Sequence, residues 1–279
     1  MTRPTRAIVD LDAIAGNFRV LAERAGGPGR VFPVLKANAY GHGAVPVARR
    51  LAEEGAVRFA VALVEEGIEL RAAGIPGEIL LLSSGARGDA PLLAAHDLTP
   101  TLYDVEQART LAATAAGLET PLPVHLNIDT GMGRLGVRPD DLSRMIGVLK
   151  RSPSLRLAGT FTHLARADEP ESDSTARQID LFSEALSRIR TAGLHPGLVH
   201  AANSAGALAV PAALFDATRP GIALFGIAPS ERVGHPALRP ALTLETEILA
   251  VQRVPPGTAL GYGGTFMTSR PTDVVTLPI

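Results

Sequence analysis

The chain has no cysteine, and only two of its 279 residues are lysine, Lys36 and Lys150. Every other cationic residue is an arginine. Without cysteine there is neither a disulfide framework nor thiolate chemistry, which fits a reducing compartment. Charge of either sign is also scarce in net terms: a balance of -1 and a pI near 6.7 leave no basic face for nucleic acid. The apolar runs are short and interrupted, and none is long enough to span a bilayer. No apolar stretch follows the opening Met1-Thr2-Arg3-Pro4-Thr5-Arg6, so a signal peptide is not expected. His42, His96, His125, His195 and His235 lack metal-ligand spacing and read as structural or surface residues, so no metal is expected. These absences describe a cytoplasmic protein with neither nucleic acid nor membrane as a partner.

What is present is a globular balance, 46% hydrophobic and 20% charged, in a chain long enough for one large domain or two smaller ones. Strand-like runs fall at 31–35, 59–63, 79–82, 99–102, 124–128, 157–162, 198–200 and 215–219. Amphipathic stretches at 45–54, 65–73, 105–116, 142–149 and 176–192 lie between them. Regular β-then-α alternation predicts a parallel sheet covered by helices, and about eight units predict a (β/α)₈ TIM-type barrel. A doubly wound open sheet is the alternative. After Phe225 the pattern changes to a Pro-rich linker, then a strand over 241–254, the turn Pro255-Pro256-Gly257 and a last strand over 273–279. The expected division is a barrel over 1–235 and the start of a C-terminal β-domain over 236–279, which stops after two or three strands and reads as cut short.

In a barrel of this kind, chemistry sits at the C-terminal ends of the strands. Lys36 ends the first apolar run, where a bare ammonium is costly unless it is paired or neutralised. A desolvated lysine can lose its proton and act as a nucleophile, which arginine cannot. Gly131, Gly133 and Gly136 spell G-x-G-x-x-G, but the motif lies after a fifth strand, Arg134 intrudes, and no acid stands about 20 residues on, so a dinucleotide site is rejected. Asn203-Ser204 and Gly221-Ile222 follow the seventh and eighth strands, the usual phosphate position of this barrel, although plain N-capping would also explain Asn203-Ser204. Arg219 is a charge at the end of an apolar strand and could pair with a carboxylate at the barrel mouth.

The decapeptide Val34-Leu35-Lys36-Ala37-Asn38-Ala39-Tyr40-Gly41-His42-Gly43 resembles the cofactor-lysine motif of the alanine racemases, fold-type III pyridoxal-phosphate enzymes, and further matches run as far as Phe266. The resemblance implies pyridoxal 5'-phosphate carried on Lys36. It implies that Tyr40 and Ser204 hold the phosphate with Asn203 and the Gly221-Ile222 backbone, and that His163 lies against the ring. Arg134 would face the ring hydroxyl and the substrate. Arg219, supported by His200, would meet the pyridine nitrogen and leave it largely unprotonated, which suits racemisation better than transamination. Lys36 and Tyr262 would be the two bases on opposite faces of the α-carbon, Tyr262 reaching the partner's site in a homodimer. D-alanine for peptidoglycan would be the product. Asn127 departs from the carbamylated lysine of many members. A broader amino-acid racemase, a cofactor-binding protein without turnover and a fold-type III decarboxylase are the alternatives.

Overall fold

The computed structural model describes residues 4–83 and 89–279. The chain divides into two units, Leu11–Ala241 and the N-terminal residues up to Asp10 taken with Leu242–Ile279. The division thus falls at 241/242 instead of the expected 235/236, and the N-terminal segment joins the C-terminal unit. Strand pairing is the reason: Arg6–Val9 runs antiparallel to Leu242–Glu245, from Arg6↔Glu245 to Val9↔Leu242.

In the larger unit, six parallel strands form one sheet: Arg58–Val61, Glu78–Leu81, Thr99–Leu102, Leu122–Asn127, Leu155–Phe161 and Leu198–His200. Two further strand positions close it. Val34 bridges Ala60 on one side and Val31 bridges Thr218 on the other, while His200 bridges Ala217, all in parallel. Phe32 N–H donates to Thr218 O at 2.8 Å and Val34 N–H to Pro220 O at 3.0 Å, so the first and eighth positions meet and the (β/α)₈ barrel is complete. These two positions make only a few ladder bonds because Pro33 and Pro220 lack an N–H. Phe32, Val34, Ala60, Leu80 and Ala217 cluster as buried core.

The covering helices stand close to their expected places: Ala44–Glu53, Val64–Ala72, Val105–Ala115, Leu142–Arg151 and Ser174–Thr191. Helix Leu11–Ala25 was not among the expected stretches; its Gly16-Asn17 pair is a weak helix signal. Asn17 is nevertheless buried, its Nδ2 donating to Leu224 O and Arg239 O, both at 2.9 Å.

The smaller unit holds three antiparallel pairs. Besides the pair already given, Ala250–Val254 joins Thr272–Thr276, and Ala259–Leu260 joins Phe266–Met267. The single strand expected over 241–254 is therefore two strands, and the last one ends at Thr276. Leu244, Val251, Phe266 and Met267 are exposed apolar residues of this unit. Among the described residues, no helix is long and apolar enough to cross a membrane.

Candidate active site

Lys36 opens an unusual corner. Ala37, Asn38, Ala39 and Tyr40 all take left-handed φ values, 52 to 54°, although none is glycine. Such a conformation costs L-residues about 1–2 kcal/mol each, so the surroundings must impose it. Glu66 does part of this: one carboxylate oxygen accepts from Ala37 N–H at 2.6 Å, and the other accepts from Ala62 and Leu63 N–H at 2.7 and 3.0 Å. Asn38 Oδ1 accepts from Ala44 N–H at 2.7 Å and ties the turn to the next helix. Gly41 and Gly43, with φ of 86 and 90°, let the chain leave the turn. The result aims the Lys36 amine into a cavity, 5.8 Å from the centre of the Tyr40 ring. Among the described residues it has no ion pair or hydrogen-bond partner.

Arg219 stands opposite in character. It is buried, and its guanidinium donates to His200 Nδ1, to Thr162 O at 2.6 Å and to Ala201 O at 3.1 Å. It also lies 4.7 Å above the Phe161 ring. Burial pulls it down to about 9, so it remains protonated at neutral pH. The expected alternative, a carboxylate pairing at the barrel mouth, is not what the structure has. His163 lines the same cavity, and burial, with the charges of Arg219, Arg134 and Lys36, pushes its ring down to about 3. His163 is thus a neutral ring near three cations.

The loops after the seventh and eighth strand positions meet at Ser204, whose Oγ accepts from Gly221 N–H at 2.9 Å and Ala223 N–H at 3.3 Å. Those two amides and the hydroxyl form a polar corner with no local charge. Gly221 is required there, because a Cβ would lie 2.4 Å from the Tyr40 hydroxyl. Burial raises Tyr40, which keeps its hydroxyl as a donor. Asn203 caps helix Ser204–Ala209, its Oδ1 accepting from Gly206 N–H at 3.0 Å and its Nδ2 donating to Leu164 O at 3.0 Å.

A cavity of about 480 Å³ gathers Lys36, Tyr40, Arg134, His163, Asn203, Ser204, Arg219, Gly221 and Ile222. His200 stands behind Arg219 and does not line it. Tyr262 belongs to the smaller unit, in a turn at Tyr262–Gly264, where it is fully exposed, and it is not a lining residue. Asn127 lines the cavity with a buried Oδ1 that has no partner, while its Nδ2 donates to Leu135 O at 2.9 Å. Two features escaped the sequence reading. Glu66 could have been found as an acid three residues after Leu63, the capping position of a helix start. His125, taken as structural or surface, is buried between His200 and Glu78; its place two residues before Asn127 on one strand puts both on the same face.

A (β/α)₈ barrel with a lone amine, a fixed guanidinium and an uncharged amide corner at its strand ends is an enzyme frame for a small anionic ligand. Residues 9–229 match the alanine racemase N-terminal domain family and residues 241–279 the alanine racemase C-terminal domain family. The alanine racemase of Carboxydothermus hydrogenoformans is 42% identical over 279 residues, covering 99% of this chain and 75% of that protein. That of Sorangium cellulosum is 43% identical over 284 residues, covering 99% and 74%. Among solved structures, the alanine racemase of D-cycloserine-producing Streptomyces lavendulae superposes with a TM-score of 0.91 at 35% identity, covering 99% of this chain and 73% of that one. The Bacillus anthracis alanine racemase with bound L-Ala-P gives 0.89 at 36% identity, covering 99% and 72%. The chain belongs to the alanine racemase family.

Proposed function

We propose that this chain interconverts L- and D-alanine with pyridoxal 5'-phosphate as cofactor and with Lys36 and Tyr262 as its two bases. One observation carries the reading: among the described residues the cavity-lining Lys36 amine has no ion pair or hydrogen bond, while the buried Arg219 is fixed by three hydrogen bonds. The residues present fit the cofactor. The Ser204 hydroxyl, the Gly221 and Ala223 amides and the Tyr40 hydroxyl crowd one corner where a Cβ has no room, which suits a phosphate. His163 offers a neutral ring face, and Arg219 offers N–H to a ring nitrogen without surrendering its proton. When bound, the cofactor supplies an electron sink that acidifies the α-hydrogen of an amino acid.

The chain's own residues then divide the work. Lys36 Nζ holds and moves a proton on one face of the α-carbon, and Tyr262 of a second copy does so on the other, which makes the enzyme a homodimer. Arg134, exposed at the cavity rim, meets the substrate carboxylate. Arg219 keeps the ring nitrogen from becoming a full cation, which favours return of the proton to the same carbon over transamination. Asn127 Oδ1, without a hydrogen-bond partner among the described residues, leaves an acceptor open on the cavity wall. The product is D-alanine for peptidoglycan, made in the cytoplasm. Borohydride reduction of the protein with pyridoxal phosphate, followed by peptide mapping, tests the reading. A pyridoxyl adduct on Lys36 and chiral detection of D-alanine are expected; an adduct on Lys150 alone, or none in folded protein, overturns it.

A further inference from the structure

Behind Arg219 a chain of side chains crosses the barrel interior. Arg219 donates to His200 Nδ1; His200 Nε2 lies 2.9 Å from His125 Nδ1; His125 Nε2 lies 3.0 Å from Glu78 Oε1. We propose that Glu78 and His125 are positioning residues of this site: they accept in turn the proton that Arg219 forces onto His200 Nε2, set a distant negative charge against Arg219, and so hold it in place for the cofactor's ring nitrogen. The proposal rests on the cofactor reading above.

The direction of every bond follows from one end. A guanidinium only donates, so His200 Nδ1 must be unprotonated. A neutral His200 then carries its proton on Nε2, and burial together with Arg219 holds this ring well below the ordinary imidazole value. His200 Nε2–H must donate to His125, so His125 Nδ1 is also bare. His125 therefore carries its proton on Nε2 and donates it to the Glu78 carboxylate. Burial pushes the Glu78 carboxyl up, but His125 and Arg58 outweigh it and hold it below the usual carboxylate range. The Glu78 carboxylate ends the chain as its last acceptor and carries the one negative charge in it.

Packing removes the other ways of ordering His200. Its ring is stacked between Phe32 and Phe161, with centroids 5.3 and 4.9 Å away and planes within 24 and 17°. Phe32 also meets the edge of His125 at 6.1 Å. With rotation blocked, His200 must present Nδ1 to Arg219 and Nε2 to His125. Room for His125 is built into the neighbouring strand: a Cβ at Gly159 would lie 2.4 Å from His125 Cε1, and the strand register shifts between Val124 and His125. The arrangement also answers a charge problem. Among the described residues Arg219 has no carboxylate partner, and a buried cation without a counter-charge is costly. Glu78 supplies that charge through two polarised imidazoles, from the far end of the barrel.

The test is long-range ¹H–¹⁵N correlation on protein labelled with [¹⁵N]histidine, first without cofactor. His200 and His125 are both expected to show a proton on Nε2 and a bare Nδ1. In Glu78→Leu, which offers no acceptor, His125 should lose its single tautomer while His200, still facing Arg219, keeps Nδ1 bare; in Glu78→Gln, which keeps a carbonyl oxygen, the wild-type pattern should persist. Loaded with pyridoxal phosphate, Glu78→Leu should show a shifted cofactor absorbance and a kcat lowered roughly tenfold, as for lost outer-sphere partners of other ligating histidines. Its KM for alanine should stay within about twofold. A proton on His200 Nδ1 in the wild type, or an unchanged His125 tautomer in folded Glu78→Leu, overturns the proposal. Should Glu78→Leu fail to fold, the wild-type and Glu78→Gln spectra decide alone. Failure of Lys36 to take the cofactor would sink the functional reading instead, and the tautomers of the cofactor-free protein separate the two failures.

Discussion

Lys36 and Arg219 stand at the ends of adjoining strand positions, those joined by the Val31–Thr218 bridge, yet the fold treats them in opposite ways. Arg219 has hydrogen-bond acceptors on both terminal nitrogens and an aromatic ring beneath it. Lys36 has a strained turn that aims it and, among the described residues, no ion pair or hydrogen bond. The difference teaches which cation can react. A guanidinium that stays charged and is fixed by three hydrogen bonds can only hold a partner in place, while an amine without such bonds can change its protonation and make a bond. The strain is spent on the backbone beside the lysine, not on the lysine itself.

Making the two cations alike should break the contrast, and the largest effect is expected at Lys36. Lys36→Arg should abolish borohydride labelling and lower racemisation by at least about 10³-fold, read by chiral chromatography. Arg219→Lys works from the other side: a compact ammonium cannot span His200, Thr162 and Ala201 together, so the urea midpoint should report a loss of about 2–4 kcal/mol. Glu66→Ala would loosen the turn that aims Lys36. Three backbone N–H groups lose their acceptor, and a loss of about 2–3 kcal/mol is expected in the same measurement.

The mildest test is pH. His163, at about 3, and His200, held well below its ordinary value, are neutral in the folded protein but protonate in the unfolded chain near pH 6.5. The unfolded state therefore binds more protons below about pH 6.5, and stability falls as the pH falls, by up to about 1.4 kcal/mol per pH unit for each ring. Above about pH 7 these two rings contribute no slope. His163→Gln should flatten the dependence of the urea midpoint between about pH 7 and about pH 5, and an unchanged slope would count against the burial of that ring.

Much of the barrel was readable because its strands are short apolar runs at regular spacing, and buried parallel strands write themselves that way. The same property hid His125. In a strand buried on both faces, alternation does not tell inside from outside, and the irregularity at Val124 and His125 shifts the register further. The expectation of a site at Lys36 came from a lysine at the end of an apolar run in an arginine-rich chain and, above all, from the resemblance carried by the decapeptide around it. The left-handed turn after it had no signal at all: Ala37-Asn38-Ala39-Tyr40 contains no glycine, and the conformation is imposed by Glu66 and Asn38. The strand Arg6–Val9 was missed for a related reason, because its partner Leu242–Glu245 lies more than 200 residues away and nothing local announces it.

The close approach between Gly221 and the Tyr40 hydroxyl has a consequence for how this site can change over generations. Gly221 combines a φ of -113° with a ψ of -89°, outside the main regions open to L-residues, so its backbone and the nearby phenol both resist a side chain. The two positions are therefore not free to drift separately. Alanine at 221 is closed to the chain while Tyr40 stands, and phenylalanine at 40 removes the nearest atom but still leaves ring carbon Cζ at 3.1 Å. A lineage would have to lose the phenol and relax the turn at 221 before residue 221 could grow. The order of steps, more than the merit of either residue alone, keeps this pair as it is.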